Sequence, residues 1–503
     1  MEAALPTSAT LEPATPVGTR STRVLNIPAR ERGRGGTRPY RAEVAPNVRA
    51  TAPSVSLPLR FMLTGLVALL FAVGWIITKP SILASYHYNQ YVIAATHLVV
   101  LGFICTVVMG AMYQLVPVAL ETKLYSERLA KWQFAIHVIG FAGMVWMFNV
   151  WDMKQVGHFA SALALGVGLF VYNMARTLWR VPKWNVVATA ITAALVWFSL
   201  TIFVGLSIAA AKCAYESTEG LAAAEGVKQM VGGLRVVAGI VSRFDAIGAM
   251  HAHAHLGVVG FFVMLIVGVS YRLIPMFTLT EVQCKYRAAF SILLLNIGLA
   301  GSVVTILLRS NWKPVFAGVA VAGLALYGWE LLAMLRARKR AALDWGLKTF
   351  RVAIALLIPV CVLALVLSWP SLPMKPFFGM LENVYGVLGL LGVVTLAILG
   401  MLHKILPFLV WFGVYSPHVG RAQLPLTSQM VSERAQAAGL WSYVAGLAVI
   451  SLAILRESEV GVRIGGALLL ASLLLFGFNA VKVFSHFVRP QIKPLPTAKP
   501  VSA

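Results

Sequence analysis

The sequence predicts an all-α membrane protein, with twelve transmembrane helices in three pseudo-repeated four-helix arcs. Three observations predict it. Of 503 residues, 59% are hydrophobic and only 12% charged, too few charges for the surface of a water-soluble particle of this size. Apolar runs long enough to cross a hydrocarbon core of about 30 Å recur from residue 58 to residue 485. One order of glycine, tyrosine and proline also returns along the chain, the mark of an internal repeat.

Residues 1–57 are rich in Pro, Ala, Arg and Thr, include RERGRGGTRPYR and lack an apolar h-region. They read as a disordered basic tail rather than a secretory signal, with a weak attraction to anionic lipid. Helices follow at 59–78, 90–118, 132–151, 156–178, 186–210, 247–277, 288–308, 314–336, 350–369, 382–412, 437–455 and 463–485, since a helix satisfies its own backbone in lipid. The even-numbered connections carry Lys123, Arg128 and Lys131; Arg176, Arg180 and Lys183; Lys285 and Arg287; Arg336, Arg338, Lys339 and Arg340; Arg421 and Arg434. The odd connections are mostly poorer in basic residues, which predicts cytoplasmic basic loops, both termini cytoplasmic, and a bacterial-type inner (plasma) membrane. Residues 212–245, with Glu216, Glu219 and Glu225, then form one long external loop with room for a short amphipathic helix. Residues 486–503 form a second cytoplasmic tail.

The repeat sets the architecture of residues 58–485. HLVVLGFICTVVMGAMYQLVP (97–117) and HLGVVGFFVMLIVGVSYRLIP (255–275) both open on His and end on G-x-x-Y-x-L-x-P. A third copy, VLGLLGVVTLAILGMLHKILP (387–407), keeps Gly392, Gly400 and Pro407 but has Val387 at the histidine position and His403 at the tyrosine position. The next helices agree: HVIGFAGMVW (137–146) resembles LNIGLAGSVV (295–304), and GLFVYNMARTLWR (168–180) resembles GLALYGWELLAML (323–335). The three units span about 58–180, 186–340 and 350–485.

The net charge of +24 follows this topology, so the partner it implies is the lipid bilayer and no nucleic acid is expected. Cys105, Cys213, Cys284 and Cys361 are scattered and read as isolated core thiols. The absence of GxSxG, P-loop, HExxH and CxxCH patterns removes the serine-hydrolase, nucleotidase, metalloprotease and covalent-haem readings. Glu330 is a candidate proton-handling group, or a partner of Arg336.

Histidines carry the chemistry. His97 falls about seven residues inside the second helix, roughly 10 Å deep at 1.5 Å per residue, and His255 shares that depth by the repeat. In MHAHAHLGVVGF (250–261), His251 and His255 share a helix face while His253 points away from it. Imidazole at this depth is a common haem and transition-metal ligand, with an interhelical hydrogen bond as the alternative. His97 and His255 are the candidate cofactor ligands. His251, His253 and His137 are candidate metal ligands, His251 and His253 with an external-interface alternative. His158 is a weaker candidate, and His87, His403, His418 and His486 read as loop or interface residues.

Twelve helices in three arcs, with histidines on the second helix of the first two, resemble subunit I of the haem–copper oxidase superfamily, nearest the cbb-type cytochrome oxidase and nitric-oxide reductase branch. The resemblance covers about residues 58–485. It implies that His97 is an axial haem ligand and that one of His251, His253 and His255, with His255 favoured by the repeat, ligates copper or non-haem iron. The family's helix 7 carries His-His and its helix 10 His-x-His; AAFSILLLNIGLAGSVV and ENVYGVLGLLG carry neither. The expectation is therefore a haem-binding (b-type) membrane protein in respiratory electron transfer or diatomic gas (O2, NO) binding, without a complete oxygen-reducing centre, alongside cytochrome or other respiratory subunits. A single bis-histidine haem between the second and sixth helices would suffice for it. If the chain is an enzyme, it is a haem-dependent oxidoreductase of oxidase or nitric-oxide reductase type. Two other readings stay open: a haem- and copper-containing protein of the nitric-oxide response, and a copper or haem transporter or assembly factor.

Overall fold

Small polar side chains start most of the helices by accepting the first unpaired backbone amides. Asn89 accepts from Tyr91 and Val92, Ser126 from Leu129, Asp152 from Gln155, and Asp245 from Gly248. In the computed structural model, which describes residues 53–218, 236, 239–340, 342–372 and 375–495, these starts lead into twelve helices long and apolar enough to span a membrane. They are α1 (Ser56–Thr78), α2 (Gln90–Ala119), α3 (Glu127–Val150), α4 (Met153–Leu178), α5 (Val186–Lys212), α6 (Ala246–Thr278), α7 (Lys285–Leu307), α8 (Lys313–Arg336), α9 (Trp345–Leu367), α10 (Pro376–His418), α11 (Glu433–Leu455) and α12 (Glu459–Val488). All belong to one compact unit, residues 43–503. The chain is a multi-pass membrane protein.

The ends differ from the expected ones where local chemistry intervenes. Asp152 caps α4 earlier than hydropathy alone suggests. In α9 the helix breaks at Leu356, because Pro359 has no N–H for the carbonyl of Ala355. Beyond α12, Lys493–Pro494 pairs antiparallel with Ala422–Gln423, tying the chain after α12 to the one after α10. The greater part of the predicted tail 1–57, most of the predicted external loop with its amphipathic helix, and residues 496–503 lie outside the described residues.

Neighbouring helices pack within arcs (α3 on α4, α7 on α8, α11 on α12), between arcs (α4 on α5, α8 on α9), and α12 returns to α1, closing a ring. Helices α2, α6 and α10 line its interior: 67, 67 and 61% of their most apolar windows are buried, against 17–44% for the other nine. Each carries an eight-residue π-helical stretch, Leu98–Cys105, Leu256–Val263 and Leu388–Thr395. All three open one residue after the repeat position held by His97, His255 and Val387. Such widened turns loosen the usual backbone pairing and cluster at functional sites.

The repeat extends to the hydrogen bonds. Asn173 of α4 accepts from the amide of Ser126 and donates to its carbonyl, and Asn479 of α12 does the same for Ser432. In the middle arc Glu330 of α8 takes this place, accepting from the amides of Gln283 and Cys284. Its second oxygen meets Arg287 at 2.8 Å, so the partner of this buried carboxylate is Arg287 and not Arg336. Cys105, Cys284 and Cys361 are free thiols, and the side chain of Cys213 lies outside the described residues.

Candidate functional site

A cavity of about 1700 Å³ opens where α2, α6 and α10 begin, against the ends of α5 and α9. That exceeds the roughly 300–1,000 Å³ of an ordinary small-molecule pocket, and its wall carries His87, His97, His251, His253 and His255.

His97 closes the first α-helical part of α2. Its Nδ1 lies 2.7 Å from the carbonyl of Ile93, one turn earlier, and its ring lies against Phe148 of α3. His253 of α6 points toward α5, its Nδ1 3.1 Å from the carbonyl of Thr201. A carbonyl only accepts, so both imidazoles donate from Nδ1, and Nε2 keeps its lone pair in each. Gly205 of α5 makes room for the second ring: a Cβ there would lie 2.6 Å from Cε1 of His253.

The two rings lie next to one another with centroids 6.4 Å apart and planes 18° from parallel. Two imidazoles bound to opposite sides of one metal at about 2.0 Å have centroids roughly 6 Å apart. The donor set, its tautomers and its spacing therefore fit a bis-histidine metal macrocycle between α2 and α6. The pair brought together is His97 with His253, whereas the repeat pairs His97 with His255. The reason is helical: two residues on from His253 the side chain points to the other side of α6. There His255 donates from Nδ1 to the carbonyl of His251, and its Nε2 lies 3.3 Å from the hydroxyl of Tyr385 on α10.

His251 faces the mouth of the cavity. Its Nε2 is 3.2 Å from Nε2 of His87, in the connection between α1 and α2, and Glu382 of α10 stands beside both. His87 donates from Nδ1 to Oδ1 of Asn383, which is oriented by its own donation to the carbonyl of Ser85. Burial pushes His87 below the usual imidazole range, while the Asn383 bond works the other way. His87 lies in a connection, as the sequence reading of a loop or interface residue has it. Its signal was positional: it shares a connection on the side from which α6 and α10 also start.

His137 is not part of the cavity wall. It is fully buried on α3, with Nε2 3.0 Å from the hydroxyl of Thr106 and 3.2 Å from the carbonyl of Leu101. It thus shares a carbonyl of the α2 π stretch with the Thr106 hydroxyl, which donates to it at 2.8 Å. In the third arc Tyr443 of α11 donates to the carbonyl of Leu391 at 2.8 Å. His158 is exposed, and His486 is buried against the hydroxyl of Tyr415.

Residues 48–153 match the family model for cytochrome c and quinol oxidase polypeptide I. Among solved structures the chain is similar to a heme-copper terminal oxidase dimer seen by cryo-EM, with a TM-score of 0.58 and 11% identity, over 89% of this chain and 86% of that one. No curated protein matches it in sequence. The chain is a membrane protein with the fold of that heme-copper terminal oxidase chain, and its residues 48–153 are similar to oxidase polypeptide I.

Proposed function

We propose that this subunit I-like protein holds one non-covalent haem between α2 and α6, with His97 and His253 as axial ligands, and serves in membrane electron transfer. The observation that carries the reading is the neighbouring pair, ring centroids 6.4 Å apart with both Nδ1 atoms tied to backbone carbonyls. A haem bound there supplies a one-electron couple whose potential follows its axial ligands and surroundings. The chain's own part is to orient the ligands: Ile93 and Thr201 fix the tautomers, Phe148 backs one ring and Gly205 admits the other.

A haem held by two imidazoles of the chain, His97 and His253, would supply electron transfer in preference to binding of O2 or NO. The helix 7 and helix 10 histidines that complete an oxidase centre are missing from the corresponding sequence, so no oxygen-reducing step is assigned. The absence of CxxCH supports a b-type haem. Basic loops and termini on the cytoplasmic side of a bacterial-type inner membrane, with further respiratory subunits as electron partners, complete the proposal.

Reduced-minus-oxidised absorption of the purified protein tests it. A b-type band lost in His97→Ala and in His253→Ala but kept in His255→Ala is the expected result. A colourless protein, or a band that survives both substitutions, overturns it.

A further inference from the structure

The mouth of the cavity carries a second cluster that the haem reading does not use. His87, His251 and Glu382 come from three separate segments, and their ligand atoms lie within 4.8 Å of one another. We propose that they form a binding site for one divalent first-row transition ion, of the two-imidazole, one-carboxylate type.

Geometry and tautomer both support the site. Two nitrogens bound to one tetrahedral ion at about 2.0–2.1 Å lie roughly 3.3 Å apart. The Nε2 atoms of His87 and His251 are 3.2 Å apart, and the Glu382 carboxylate comes to 3.9 Å from the first. The ring centroids are 5.4 Å apart, close to the roughly 5 Å that such ligation gives. Asn383 fixes His87 as the Nδ1–H tautomer, since its amide nitrogen is already committed to Ser85. The Nε2 of His87 therefore presents a lone pair inward, as a ligand orienter should arrange it. With three protein ligands the ion keeps a coordination position for water or a small molecule entering the cavity. The ordinary explanation of the same atoms is an N–H···N bond from His251 to His87, and the test separates the two.

Full-length protein in detergent is stripped with chelator and dialysed against Zn2+, and the readouts are zinc per chain and the zinc K-edge spectrum. The expected result is one zinc per chain with two imidazoles and oxygen in its first shell. His87→Ala and His251→Ala should each weaken binding more than about a hundredfold, and Asn383→Ala by about ten- to a hundredfold, the range of outer-shell substitutions. Should a variant fail to fold, the edge spectrum of the unsubstituted protein decides alone. Zinc no higher than in the His87→Ala/His251→Ala double variant, or a shell without imidazole, overturns the site and leaves a hydrogen-bonded pair. Neither readout depends on haem absorption, so this site and the haem reading stand or fall separately.

Discussion

The first and third arcs share one backbone and differ in what hangs from it. Both inner helices widen into a π stretch at the same place, and both leave a carbonyl there for the next helix to satisfy. In the first arc His137 takes that carbonyl; in the third Tyr443 does. At the opening of the stretch the first arc has His97, aimed into the cavity, and the third has Val387. A histidine and a tyrosine are thus interchangeable as structural donors, while His97 has no counterpart in the third arc. Residue type alone does not say which job a buried histidine has. The hydrogen bonds do: His97 lines the cavity with Nδ1 tied to a backbone carbonyl, whereas His137, away from the cavity, spends Nε2 on the π stretch and its Nδ1 is buried without a partner.

The largest effect should come from breaking the side of this comparison that bears the proposed ligand. His97→Ala should abolish the haem band, while His137→Ala should leave it in place, as reduced-minus-oxidised spectra will show. Retention of the band in the first or its loss in the second would reverse the roles. Next are the structural donors. Tyr443→Phe strands the buried carbonyl of Leu391, which costs about 1–3 kcal/mol. After His137→Ala the carbonyl of Leu101 keeps the Thr106 hydroxyl at 2.8 Å, so the loss should be smaller; both are read as thermal stability in detergent. Equal losses would show that the Thr106 hydroxyl does not stand in for His137.

A further step down is the close packing beside those donors. A Cβ on Gly140 would lie 2.7 Å from the amide nitrogen of Leu163, and one on Gly446 2.7 Å from the carbonyl of Gly465. Gly140→Ala and Gly446→Ala should each cost about 1–3 kcal/mol. Gly168→Ala on α4, where nothing lies within 4 Å, should cost nothing and could add stability through helix propensity.

The smallest effect concerns the start of α6. The Gly248 amide, then the Arg309 guanidinium, hold the Asp245 carboxyl below its usual range, against partial desolvation. A carboxyl with a depressed folded pKa contributes stability that is present above its unfolded value, about 3.9, and fades as pH falls through the folded one. Asp245→Asn should therefore flatten the acid limb of the stability profile, with a cap change near or below about 1 kcal/mol at neutral pH. An unchanged acid limb would show that Asp245 has no share in it.

Much of this was legible in the sequence. Lengths of apolar run gave the twelve crossings, because lipid leaves the backbone little choice but helix. The spacing of His, Gly, Tyr and Pro gave the three arcs and marked 97, 255 and 387 as equivalent, since equivalent positions inherit equivalent backbone. The break at Pro359 and the capping start at Asp152 were also written locally. The pairing of side chains was not. His97 meets His253 rather than His255 because the direction of a side chain depends on how α6 is rotated against α2 and α5, a matter of packing across the ring. His87, His251 and Glu382 lie far apart in the sequence, on a connection and two separate helices, and only closure of the three arcs puts them at one mouth. Sequence determined which backbone was built and how often; tertiary structure decided which imidazoles come together, because that rests on contacts between arcs that no local pattern encodes.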